Sequence, residues 1–159
     1  MWRLLPLLCV LALAACGGDD PSTQASTTTN TAAVAKTPYA RGLQRLCLHA
    51  LAAHEALGSA SDPAELLHTL PKANAVDQRL LQGVRALHPS AAEAKRAGRL
   101  LYFFSAMSDI QDSALGQLQA GNTNGYFQYM NSALAARGHA EKLALRLGAP
   151  ACAQRPATR

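Results

Sequence analysis

Aromatic side chains are scarce in this 159-residue chain, which holds one Trp, four Tyr and three Phe. So few rings leave small and aliphatic side chains to close the core, and abundant alanine favours helices that meet through small residues. No stretch alternates apolar and polar residues with period two, so a half-buried strand is not expected. No apolar run reaches the roughly 20 residues that span a bilayer. The longest, Leu4 to Ala15, holds about a dozen and contains Pro6, which opposes a stable spanning helix. No HxxxH spacing offers the paired ligands of a metal-binding bundle. Serine occurs in no GxSxG or SxxK frame, and no glycine-rich loop could cradle a phosphate. No basic-aromatic motif is present, so nucleic acid is not an expected partner. These absences remove the main catalytic classes and imply no cofactor.

What is present begins with an address. Met1-Trp2-Arg3 supplies one positive charge, an apolar run follows, and small residues close it. That is the build of a secretory signal. Leu13-Ala14-Ala15 is followed at once by Cys16 and then Gly17-Gly18-Asp19-Asp20. In these residues the chain resembles bacterial lipoproteins, whose signal ends in Leu, two small residues and Cys. The resemblance implies cleavage between Ala15 and Cys16, a diacylglyceryl group on the Cys16 thiol and an acylated amine. Two or three acyl chains meet the roughly two signals that stable anchoring takes. The expected location is the cell membrane, facing the periplasm or exterior, with the bilayer as one partner through Cys16.

The chain has four cysteines. Under that resemblance Cys9 leaves with the signal and Cys16 carries the lipid. Cys47 and Cys152 remain as one pair, in a compartment where disulfides persist. Loss of residues 1–15 removes Arg3 and no acid, so the formal charge falls from +5 to +4. That modest basic excess suits an anionic lipid or wall polymer. Residues 16–37 are rich in Ser and Thr and read as a disordered tether, too polar to fold, with a reach of about 25 Å.

The rest is helical in pattern. Thr37-Pro38 is a start signal, and Leu43, Leu46, Cys47, Ala50, Leu51, His54 and Leu57 share one stripe before the stop at Gly58. Asp62-Pro63-Ala64-Glu65 opens a second helix, which Pro71 is expected to cut short. A third segment, about 72–87, carries Ala73, Val76, Leu80, Val84 and Leu87 inward. Ser90-Ala91-Ala92-Glu93 is a capping box opening the longest helix, to about Ala120. The last helix follows the turn at 121–125, ends at Leu147 and is stopped by Gly148. The expected fold is therefore all-α: a four-helix up-and-down bundle with one extra short helix, closed by a disulfide. It should occupy residues 38–153, with 154–159 a disordered tail. Antiparallel alternation returns the chain's end to its start. The tail after Gly148 then reaches Cys47, closing a loop of about 105 residues worth up to about 4.7 kcal/mol. Small helical lipoproteins of high-GC bacteria are loosely similar, down to a final Leu147-Gly148 and Cys152.

Several side chains invite chemistry. His54 lies mid-stripe; with Cys47 and Cys152 it gives three metal ligands where zinc wants about four, so a core histidine bonded to a neighbouring helix is the better reading. Asp109 and Asp112 sit one turn apart on what reads as a polar face. Gln111 and Arg137 interrupt apolar stripes and could meet inside the bundle. The plain reading is one buried polar contact that fixes helix register; the sharper one is the polar end of a pocket walled by Phe104, Met107, Tyr126, Tyr129 and Met130, since an apolar lining with few polar groups is how small-ligand sites are built. Lys95, Arg96 and Arg99, with Arg41 and Arg45, read as a solvated basic face. The expectation is a non-enzymatic module that binds an envelope protein, a wall polymer or a small ligand. The alternative is a carrier of a small apolar ligand or metal.

Overall fold

Each long helix begins on a side chain that closes its first turn. Thr37 Oγ1 accepts from Ala40 N at 3.1 Å and starts α1, Pro38–Leu57. Asp62 Oδ1 accepts from Glu65 N at 2.8 Å and starts α2, Pro63–Arg85. Ser90 donates from both its amide N (3.0 Å) and its Oγ (2.6 Å) to the Glu93 carboxylate, at the start of α3, Ala91–Gln119. Asn122 Oδ1 accepts from Gly125 N at 3.0 Å and starts α4, Thr123–Arg146. These are the caps that satisfy the orphan amides of a first turn. Gly58 and Gly148 leave helices with φ near +73° and +77°, a backbone state open to glycine. A 3-10 turn, Pro150–Ala153, completes the order.

The computed structural model describes residues 35–58, 60 and 62–154. The expected signal segment, the lipid-bearing Cys16, most of the tether and most of the tail lie outside the described residues. Among the described residues there is no strand, and no helix is long and apolar enough to cross a membrane.

The fold is an all-α bundle of four helices closed by the Cys47–Cys152 disulfide, with Cα atoms 5.0 Å apart. Successive helices pack against one another, α1 on α2, α2 on α3 and α3 on α4. α1 and α2 interlock through glycine notches. A Cβ on Gly42 would stand 2.7 Å from Leu87 Cδ2, and one on Gly83 would stand 2.6 Å from Leu46 Cδ2. That antiparallel register puts Leu57, the last residue of α1, level with Lys72. The bundle is not fully closed, because α1 and α4 nowhere bring Cα atoms within 8 Å. The terminal turn lies against both instead. Its Ala151 N donates to Gln44 Oε1 at 2.9 Å, and Cys152 bonds to α1.

The expected separate short helix is the opening of α2, which runs unbroken through Pro71. Leu67, which the Pro71 amide would have bonded, and Pro71 itself are both exposed, so the missing bond faces water. Apolar packing on either side of Pro71 holds the helix: Leu66 and Leu70 before it, Leu81 and Val84 after it.

Two apolar clusters result. The larger joins Tyr39, Leu43 and Cys47 to Val84, Ala97, Leu100, Ala140, Leu143, Ala144, Leu147 and the terminal turn. Leu43 and Leu100 are fully buried there. The smaller joins Ala114, Leu118 and Tyr126, with Leu66, Leu70 and Met130 packed on it. α1 adds nothing to the smaller one.

Candidate functional site

Between the two clusters the interior turns polar. His54 Nε2 of α1 lies 2.8 Å from Asp77 Oδ1 of α2. Gln111 Nε2 of α3 donates to Asp77 Oδ2 at 3.0 Å. Beside this chain, Asn74 Nδ2 donates to Asp112 Oδ1 at 2.9 Å and Gln78 Nε2 donates to Ser108 Oγ. Asn74 and Ser108 are buried, at 8% and 5% exposure. The layer crosses three helices at the level where α1 ends.

Two acceptors in this layer are buried without a hydrogen bond: Asn74 Oδ1 and Gln111 Oε1. Each such group costs about 1–3 kcal/mol. Exchanging the oxygen and nitrogen of the Gln111 amide gives no relief, because its oxygen would then face the Asp77 carboxylate. The surrounding protein closes this oxygen off from solvent.

The layer floors a half-open cleft of about 160 Å³ where α1 and α4 stand apart. α1 lines it with Cys47, Ala50, Leu51 and His54, and α2 with Asp77 and Leu80. α3 adds Phe104, Met107 and Gln111; α4 adds Arg137, Ala140 and Glu141; the chain's end adds Ala151, Cys152 and Gln154. Arg137 is held at the rim, its Nε donating to Glu141 Oε1 at 2.9 Å and its Nη2 to the Gln154 carbonyl at 3.0 Å.

The cleft thus brings together His54, Phe104, Gln111 and Arg137, with Met107, as residues of one lining. Gln111 and Arg137 share it without bonding to each other, each being committed elsewhere. His54 is the expected histidine bonded to a neighbouring helix. Tyr126 is not in the cleft. At 1.5 Å per residue it lies about 16 Å along α4 from Arg137, buried in the smaller cluster, where burial raises its phenol pKa. Met130 packs in that same cluster and Tyr129 is exposed. Asp109 and Asp112 are both exposed, as a polar face implies, and Asp112 in addition accepts from Asn74. The basic residues Arg41, Arg45, Lys95, Arg96 and Arg99 are all exposed. Glu65 and His68 form an ExxH pair, on exposed positions of α2. Among the described residues no three His, Cys, Asp or Glu groups converge as metal ligands.

Asp77 is the residue that the sequence pattern leaves out, and it organises the site. The signal for it lies in α2 read as one helix. Leu66, Leu70, Asn74, Asp77, Leu81 and Val84 then form a single inward edge with two polar members in the middle. Chemically the cleft offers shape, an apolar wall and hydrogen bonds. The His54–Asp77 pair meets no Ser, Thr or free thiol along the lining, and both lining sulfurs are spent in the disulfide. Comparison of the chain with family models, curated proteins and solved structures gave no match.

Proposed function

We propose that the chain is a lipid-anchored extracytoplasmic lipoprotein whose bundle binds a small molecule without transforming it. The cleft carries this reading, with Leu51, Leu80, Phe104 and Met107 as apolar lining and His54, Asp77 and Gln111 as its few polar groups. An apolar lining with a few polar groups is how small-ligand sites are built. The signal ending in Leu13-Ala14-Ala15-Cys16 supports the anchor, and the disulfide supports an oxidising compartment. The lining lacks a nucleophile for the His54–Asp77 pair to activate, which supports binding over catalysis.

A second reading rests on Phe127, Leu134 and Leu145. They lie along one stripe of α4 and are each more than half exposed, at 57%, 54% and 55%. An envelope protein docked on that stripe would bury it. Native mass spectrometry of the full chain, purified in detergent from a host that processes lipoproteins, tests both. The mature chain should begin at Cys16, carry acyl mass, and hold a small molecule that leaves on unfolding. An unacylated chain beginning at Met1 would sink the anchor. A chain that never retains a small ligand but carries a second polypeptide would turn the argument to the α4 stripe.

A further inference from the structure

We propose that the disulfide-closed end of the bundle docks on an anionic phospholipid surface, the bilayer in which Cys16 is anchored. This rests on the anchor and is independent of the cleft. Charge sets that end apart. The helices alternate in direction, so the starts of α1 and α3 lie with the ends of α2 and α4. Arg41 and Arg45 stand in the first turns of α1, Arg85 at the end of α2, Arg96 and Arg99 in the opening turns of α3, and Arg146 at the end of α4; all are exposed. Both acids of these turns are already engaged. Glu93 is buried and accepts from Ser90 and Thr37, and Glu141 pairs with Arg137. Every exposed acid among the described residues (Glu55, Asp62, Glu65, Asp109 and Asp112) lies in the half away from this end. A surface charged for solubility alone intersperses the two signs.

The junction with the tether selects the bilayer as the occupant. The stretch that follows Cys16 enters the fold at Thr37, the cap of α1, with Ala35 already buried. The anchor therefore draws on the basic end. The expected reach of about 25 Å keeps that end near the headgroups and makes docking an intramolecular step, for which weak contacts suffice. Anionic headgroups attract clustered Lys and Arg within about one Debye length, roughly 8 Å in physiological salt. The bundle then stands on its closed end and holds its acidic end away from the surface.

The lysines report on this directly. The chain has four: Lys36, Lys72, Lys95 and Lys142. Lys95 and Lys142 are exposed at the basic end, and Lys72 is exposed level with the last residue of α1. The full mature chain, with its acyl chains and disulfide, is inserted into preformed vesicles of phosphatidylcholine, or of phosphatidylcholine and phosphatidylglycerol in equal parts. A trace of acetic anhydride is added, and acetylation of each lysine is read by mass spectrometry. With phosphatidylglycerol, Lys95 and Lys142 should react at least about threefold more slowly, the effect of proton enrichment at an anionic surface. Lys72 should react alike on both vesicles. Salt at about 1 M, where the Debye length falls to about 3 Å, should restore the two slowed lysines. Arg41→Gln, Arg45→Gln and Arg99→Gln together should shrink the effect; the wild-type contrast decides by itself if that variant fails to fold. Equal acetylation on the two vesicles, or a fall at Lys72 as large as at Lys95 and Lys142, overturns the docking and leaves the anchor. A fall at Lys95 and Lys142 only when soluble polyphosphate is added overturns the membrane as occupant and assigns the end to an acidic polymer. A chain without acyl mass that stays off the vesicles overturns the anchor and the docking together.

Discussion

The two ends of the bundle are built to different standards. At the end where the chain enters and leaves, four helices and a terminal turn meet, Leu43 and Leu100 are fully buried, and a disulfide ties Cys47 to Cys152. At the other end only α2, α3 and α4 contribute, because α1 stops level with Lys72. The smaller cluster has a small buried set, Ala114, Leu118 and Tyr126, and no cross-link. The polar layer marks the boundary between them. A cleft needs rigid walls and a way in, and the boundary offers both. The disulfide-closed end holds Cys47, Phe104 and Ala140, and the cleft opens to solvent where α1 and α4 keep their Cα atoms more than 8 Å apart. A fully closed four-helix bundle would have the walls and no entrance.

The disulfide contributes most to this difference. It closes a loop of 105 residues, and a loop of that size is worth about 4 to 5 kcal/mol in the chain-entropy account. The double variant Cys47→Ala, Cys152→Ala should lose that much in urea unfolding. Amide exchange should show the protection of α1 falling to the level of the smaller cluster. A loss under about 1 kcal/mol would mean the terminal turn is held by its packing and its Gln44 bond, and the closed end owes little to the sulfur link.

Matched truncations put the two apolar clusters on one scale. Leu100→Ala empties a fully buried site in the larger cluster and should cost about 4 kcal/mol, near the upper part of the usual Leu→Ala range. Leu118, 6% exposed in the smaller cluster, has fewer neighbours to leave stranded and should cost about 2 to 3 kcal/mol. Equilibrium unfolding of the two variants checks the order. If Leu118→Ala costs as much as Leu100→Ala, the smaller cluster is as well packed as the larger and the contrast reduces to the cross-link.

How far the sequence discloses this contrast depends on the kind of signal. The caps at Thr37, Asp62 and Ser90 and the glycine stops are local, and local chemistry decides them, so the helices and their order are legible. So is the partner of Cys47, because up-and-down topology returns the tail to α1. Pro71 misleads in a specific way. Read as a break, it divides α2 and sets the inward stripe as Ala73, Val76, Leu80, Val84 and Leu87, of which Val84 is buried and the others are half-buried. The buried edge runs through Asn74, Leu81 and Val84. With that edge displaced, Asp77 falls outside every expected cluster, and Gln111 is matched to Arg137 when its bond goes to Asp77. Phe104, Gln111 and Arg137 do come to one lining, together with His54, since each interrupts or lines a stripe on α1, α3 or α4. Tyr126 is misplaced because helical spacing gives the face of a residue and leaves its height along the bundle to the register between helices.

The smallest expected effect concerns the place where the tether joins the closed end. Glu93 is buried and accepts from Ser90, at both amide and hydroxyl, and from Thr37 Oγ1 at 2.6 Å. Thr37 is the cap of α1, so one carboxylate fastens the start of α1 to the start of α3. The hydrogen bonds from Ser90, then that from Thr37, hold the Glu93 carboxyl below its ordinary value of 4.5; burial opposes them and Arg96 assists. A depressed carboxylate stabilises the fold fully above its unfolded value, and the contribution drains away as pH falls through the folded value. Stability at the closed end should therefore be flat from neutrality to about pH 5 and decline below it. Glu93→Gln should cost about 1 to 2 kcal/mol at neutral pH and lose less on acidification than the wild type. Other carboxylates titrate in the same range, so the difference between the two chains is the quantity to follow. Unfolding free energies of both, taken from neutral pH down to about pH 3, should converge as acid removes from the wild type what the substitution has already removed. Parallel curves would show that Glu93 is a neutral bystander and that the junction is held by the Thr37 cap alone.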